Sequence, residues 1–148
     1  MYKSSTSLYI MDIKQLLAAV DNEANDTIMN LTNTKIKKIK NDMLQRLQLP
    51  REKLREMHKK LKHYRYVDEL PDIKPGTYIR WIRLQNPEDI RLSTGGIVCS
   101  ITIGEGVNVV CKNNINRMFQ CKLGDSMVFQ KITDQEAILL SALDYIQE

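Results

Sequence analysis

Histidine, cysteine and long apolar runs are all scarce in this 148-residue chain, and each scarcity removes a class of function. The two histidines, His58 and His63, lie five residues apart in a charged helical segment, off any shared helical face, so they read as surface residues and not as ligands of one metal. The three cysteines, Cys99, Cys111 and Cys121, cannot all pair with one another, and none forms a Cys-x-x-Cys unit. A reducing, intracellular compartment is expected. The first ten residues mix Tyr2 and Lys3 with a Ser/Thr cluster and carry no apolar core of signal-peptide length, and no later run reaches the length of a membrane span.

Catalytic signatures are missing as well. There is no Gly-x-Ser-x-Gly elbow, no phosphate-cradling glycine loop and no zinc-ligand spacing, and Gly95-Gly96 lacks the lysine and helix start that a phosphate loop requires. The adjacent carboxylates Asp68-Glu69 and Glu88-Asp89 fall in loop-like sequence, where nothing separates their pKa values for acid and base work. The chain therefore reads as a non-enzyme that needs no cofactor and has no metal site. Its composition, 43% apolar and 27% charged, is that of a folded globular domain.

What is present is a concentration of charge. The formal net charge of +4 conceals segments of −2 over residues 1–34, +9 over 35–65 and −3 over 66–148. The basic segment holds Lys35, Lys37, Lys38, Lys40, Arg46, Arg51, Lys53, Arg55, Lys59, Lys60, Lys62 and Arg65 against three carboxylates. Such a cluster either releases counterions from a nucleic acid or acidic partner or forms the solvated face of a helix.

The apolar spacing is helical through residue 64: Ile10, Ile13, Leu17, Val20, Ala24, Ile28 and Leu31, with Ser7 as N-cap, then Ile36, Ile39, Met43 and Leu47 after a polar break at Asn30 to Thr34, then Leu54, Met57, Leu61 and Tyr64. Pro50 suits the start of a helix better than its interior. The later series suggests a helical hairpin or short coiled coil, with packing on the chain's own β portion and association with itself or another assembly protein as the two alternatives. Domain limits are set at residues 1–66 for the helical region, 67–76 for a Pro-rich acidic linker, and 77–148 for a β portion with a terminal helix.

Beyond residue 76, turn signals recur about every ten residues and predict strands over 77–84, 96–103, 107–112, 117–122 and 126–132. Gly104-Glu105-Gly106, Asn113-Asn114 and Leu123-Gly124-Asp125 supply connections. Alternation puts Ile97, Cys99, Ile101 and Ile103 on one face, and likewise Val107, Val109 and Cys111, and Phe119, Cys121 and Leu123, so all three thiols are expected in a core. The residues from Asp134 predict a helix with Thr133 or Asp134 as N-cap and an apolar stripe of Ile138, Leu139, Ala142, Leu143 and Ile146, capping the sheet or docking on the arm. The fold expected is α+β: a helical arm or hairpin, a five-stranded SH3-like or Tudor-like antiparallel barrel, and a C-terminal helix.

On the first of these strands Tyr78 and Arg80 share one face, Trp81 and Arg83 the other, which makes these four a candidate binding face for bases or a methylated lysine. Core packing is the competing role for Trp81, the only tryptophan. The run Lys74 to Ile82 (Lys-Pro-Gly-Thr-Tyr-Ile-Arg-Trp-Ile), Thr94-Gly95-Gly96 and Val128 to Lys131 resemble small uncharacterised proteins of nucleocytoplasmic large DNA viruses. That resemblance, confined to the C-terminal half, implies a virion component or a factor of the infected cytoplasm. Two functions follow as expectations: a structural or assembly protein, and a nucleic-acid-binding accessory protein contacting DNA or RNA through the basic segment.

Overall fold

Proline and the short polar turns decide where helices give way to strands. The computed structural model describes residues 6–22, 28 and 31–147, with side chains from residue 14 to 146. In chain order it holds α1 (Thr6–Asp21), α2 (Asn33–Gln45), α3 (Arg51–Lys60), β1 (Tyr64–Val67), β2 (Tyr78–Arg83), β3 (Gly96–Ile103), β4 (Val107–Lys112), β5 (Met118–Lys122), β6 (Ser126–Lys131) and α4 (Asp134–Gln147). No helix among the described residues is long and apolar enough to cross a membrane. By compactness the chain divides at Ile36/Lys37 and at Lys131/Ile132, giving one unit from the two ends and one from Lys37–Lys131.

In the central unit the strands form one antiparallel sheet of order β1-β6-β2-β3-β4-β5. The expected five strands are present, but a sixth, β1, joins the edge beyond β6, and no ladder joins β1 to β5, so the sheet is open where a closed five-stranded barrel was expected. β1 occupies Tyr64–Val67, where the pattern suggested a helix end running into a linker. Within the supposed linker, Ile73 is buried in the sheet's core beside Val67. Gln130 holds it there: its side-chain amide donates to the Asp72 carbonyl at 2.8 Å and its oxygen accepts the Lys74 amide proton at 2.9 Å.

All six strands contribute to one apolar cluster, from Val67 of β1 through Trp81, Val98, Val109 and Cys121 to Val128 of β6, so the sheet curls around a single interior. The opposite face of β6 and β2 carries Met127, Phe129 and Ile82, which pack with Leu44 of α2 and Met57 and Leu61 of α3. β6 is thus buried on both faces, as a central strand requires. Of the two alternatives for the apolar faces of α2 and α3, the fold uses packing on the chain's own sheet. Ile39 alone of that series stays exposed.

A β-bulge between Val98 and Ser100 reverses the alternation on β3. Val98 is buried opposite Cys111 and Ile101 packs on the core opposite Val109, while Ile97, Cys99 and Ile103 are exposed. The expectation of a buried Cys99 is thereby corrected, because the extra residue of the bulge is Cys99 itself. Cys111 and Cys121 are buried.

In the other unit, Leu16 and Ala19 of α1 meet Ile28, Ile36 and the Leu139 and Leu140 side chains of α4. Leu17 and Val20 were expected on the packed face but stand exposed, as does Ile146. Residues 16–20 are apolar without interruption, so periodicity cannot select a face. Ser7 lies inside α1, which starts at Thr6. The side chains of Ile10 and Ile13, and residues Ala24 and Asn30, fall outside the described residues. α4 docks on the arm, with Asn22 donating to the Gln135 side chain at 2.8 Å and Asp144 accepting the Asn33 amide proton at 2.8 Å.

Candidate nucleic-acid interface

Helix propensity and Pro50 place the basic segment on two helices and a turn. Pro50 precedes the first residue of α3, and its carbonyl accepts the Leu54 amide proton at 3.0 Å. α3 buries Leu54, Met57 and the following Leu61 toward the sheet, leaving its charged positions outside. α2 runs alongside: His58 of α3 meets the Asn41 side chain at 3.1 Å, and the Lys40 ammonium donates to the carbonyls of Leu61 at 2.8 Å and Tyr64 at 3.0 Å.

That last contact withdraws Lys40 from the candidate surface. It is buried, and its pKa is lowered, first by burial and then by the charge of Lys37. Arg65 is also buried, in β1 opposite Gln130. The other ten cations of the segment are exposed. Lys38 and Lys60 are held in pairs one turn apart, with Asp42 at 3.1 Å and Glu56 at 2.9 Å.

The exposed charges of α3 sort into two rows. Glu52, Glu56 and Lys60 recur every four residues in one row, with Lys53 beside them, whereas Arg51, Arg55 and Lys59 recur every four in the adjoining row, Glu52 and Glu56 lying three residues before Arg55 and Lys59. The cationic row flanks His58, and therefore the seam with α2. Lys37, one turn before Asn41, lies on the row of α2 that borders the same seam. Arg51, Arg55 and Lys37 thus border one seam, Lys59 continues their row toward solvent, and the three cations on α3 span about 12 Å along its axis.

His58 is half-buried, and its pKa is lowered by burial and then by Lys40, while His63 is exposed in the turn after α3. Among the described residues no three His, Cys, Asp or Glu side chains are grouped to hold a metal ion.

The candidate face on β2 is split by its pleat. Tyr78 and Arg80 act as clamps: the Tyr78 hydroxyl donates to the Thr94 carbonyl at 2.7 Å and the Arg80 Nε to the Ser93 carbonyl at 2.8 Å. On the opposite face Trp81 is 5% exposed and belongs to the core, while Arg83 is exposed. No family model, curated protein or solved structure matches this chain.

Trp81 and Arg83 nevertheless come together, as the floor of a groove of about 550 Å³ walled by residues 85–95 and by Phe119 of β5. The wall is fixed. Ser93 Oγ accepts the Trp81 amide proton at 3.0 Å, the Trp81 carbonyl accepts that of Ser93 at 2.9 Å, and Leu92 bridges to Ile82. Gly95 sits at φ +86, and a Cβ there would fall on the Ile79 carbonyl, so only glycine lets this segment lie so close to β2. Sequence reasoning placed Arg83 and Trp81 on a common face and missed the groove, because Phe119 and residues 85–95 come from distant stretches. The Thr94-Gly95-Gly96 signal marks where that wall ends.

Proposed function

We propose that this chain is a non-catalytic polyanion-binding module whose partner is nucleic acid, contacted through the seam between α2 and α3. The observation that carries the reading is the sorting of charge on α3: a row of Arg51, Arg55 and Lys59 with Glu52 and Glu56 confined to the side away from α2, joined by Lys37 across the seam. A solvated helix surface has no need to keep its anions on one side. A phosphate backbone does favour that arrangement, because clustered cations displace its condensed counterions together. Most of the apolar side chains of α2 and α3 are taken up by packing, Ile39 excepted, so the surface they leave is mainly charged.

The β portion is proposed to be an open variant of a small SH3-like fold, extended at one edge by β1. The order β6-β2-β3-β4-β5 and the single 3-10 turn Leu123–Asp125 between β5 and β6 support that classification.

Assembly with other proteins, including a place in a virion, is the second reading. What favours it is the apolar surface of the terminal helices, where Leu17, Val20, Tyr145 and Ile146 are exposed, Tyr145 to 80%. The two readings separate in a salt series. Binding to a generic duplex is expected to weaken by about two orders of magnitude between about 50 and 200 mM salt if three or four phosphates are contacted. Binding that is absent at low salt, or flat across the series, removes the nucleic-acid reading and leaves apolar assembly, which salt strengthens.

A further inference from the structure

The groove beside Trp81 has the size of a small-ligand site and two unlike walls. Phe119 and the small exposed part of Trp81 give an apolar, aromatic side. Arg83 gives a cationic one, and a smaller recess of about 120 Å³ continues past it, lined by Arg83, Lys122 and Asp125. The other arginine of the groove, Arg91, is neutralised by Asp89 through two contacts of 2.9 and 3.0 Å. Asp125 is engaged by the Gln85 side chain at 3.3 Å. Among the described residues Arg83 forms no salt bridge, so its charge is available to a ligand.

We propose that this groove binds a nucleoside phosphate, the base resting against Phe119 and Trp81 and the phosphate directed to Arg83 and Lys122. A planar aromatic ring suits the first wall, because every base offers a π-face to stack. An anion suits the second, because a guanidinium presents a planar fork of donors to phosphate. Bases paired within a duplex cannot enter, so a strand supplies this ligand only when single-stranded. That source rests on the nucleic-acid reading above, whereas a free nucleotide does not.

The groove also adjoins the basic helices. Asp89 and Arg91 line it, and Ile90 between them is buried in the cluster formed with Leu44, Met57 and Leu61. The segment that walls the groove is therefore anchored on the buried faces of the two basic helices.

Trp81 is the only tryptophan, so its emission reports this site alone. The test is titration of the full chain with adenosine 5′-monophosphate, ribose 5-phosphate, a short single-stranded oligonucleotide, its duplex, and a phosphoserine peptide. Excitation is at the red edge of tryptophan absorption, where adenine is transparent. Saturable quenching by the mononucleotide and not by ribose 5-phosphate is expected. The single strand is expected to quench at concentrations at least tenfold lower, and the Arg83→Gln/Lys122→Gln variant to weaken both by about tenfold, or about 1.4 kcal/mol. Both positions are exposed, so the variant is expected to fold. Mononucleotide quenching with no gain from the strand supports the groove as a free-nucleotide site and removes a nucleic-acid strand as the source of its ligand. No quenching by the mononucleotide, equal quenching by ribose 5-phosphate, or quenching by the phosphopeptide in its place overturns the proposal.

Discussion

Single residues show how far one inserted position can redirect chemistry. Alternation along β3 assigns Cys99 to the core, yet the bulge at that residue turns it outward, while Cys111 and Cys121 remain inside. Burial first, then the neighbouring Cys121 and Cys99, pushes the Cys111 thiol up to about 12. Burial raises Cys121 as well. A thiol reagent near pH 8 is therefore expected to modify one cysteine quickly in the native protein and all three after unfolding, and equal rates in the native state would contradict the assigned register. The folded Cys111 holds its proton more tightly than the unfolded one, whose ordinary value is 9.0. Its stabilising effect is complete below pH 9 and declines as pH rises from there toward 12. Cys111→Ala should flatten that part of the denaturation profile relative to the parent chain.

Elements were legible where turn or cap chemistry is local. Thr133 and Glu136 form a reciprocal cap at the start of α4, the Glu136 carboxylate accepting the Thr133 amide proton at 2.9 Å and the Thr133 hydroxyl accepting that of Glu136 at 3.1 Å. Thr133→Ala is expected to lower stability by about 1 kcal/mol in urea denaturation, while Thr133→Ser, which keeps the hydroxyl, changes it little. The hairpins at Gly104 to Gly106 and Asn113 to Arg117 followed from their turn residues in the same way. β1 was not legible, because four residues of period two directly after a helix are too short to override the helical pattern. The packed face of α1 was not legible either, since an unbroken apolar run offers several faces of equal merit. Both are settled by tertiary partners: Gln130 and Phe129 across the β1–β6 ladder, and Leu139 and Leu140 of α4 beside α1.

For the molecule as a whole, the sequence locates the charge and the fold decides which part of it can act. The +9 segment was evident from counting, but the burial of Lys40 and Arg65 and the sorting of α3 into a mixed row and a cationic row depend on how the helices lie on the sheet. The open sheet could not be distinguished from a closed barrel, because closure is a property of hydrogen bonds between β1 and β5 that no local pattern encodes. The central claim is that the position of charge at the α2–α3 seam, and not its total, binds a phosphate backbone. The most direct measurement compares two variants that each remove four positive charges, Lys37→Gln/Arg51→Gln/Arg55→Gln/Lys59→Gln at the seam and Lys35→Gln/Lys38→Gln/Lys53→Gln/Lys60→Gln elsewhere, in duplex binding across a salt series. The seam variant is expected to lose binding and to flatten the dependence of log K on log salt by about 3 to 4, the second variant to change it far less. Equal losses in the two variants would mean that net charge alone is responsible and would contradict the account.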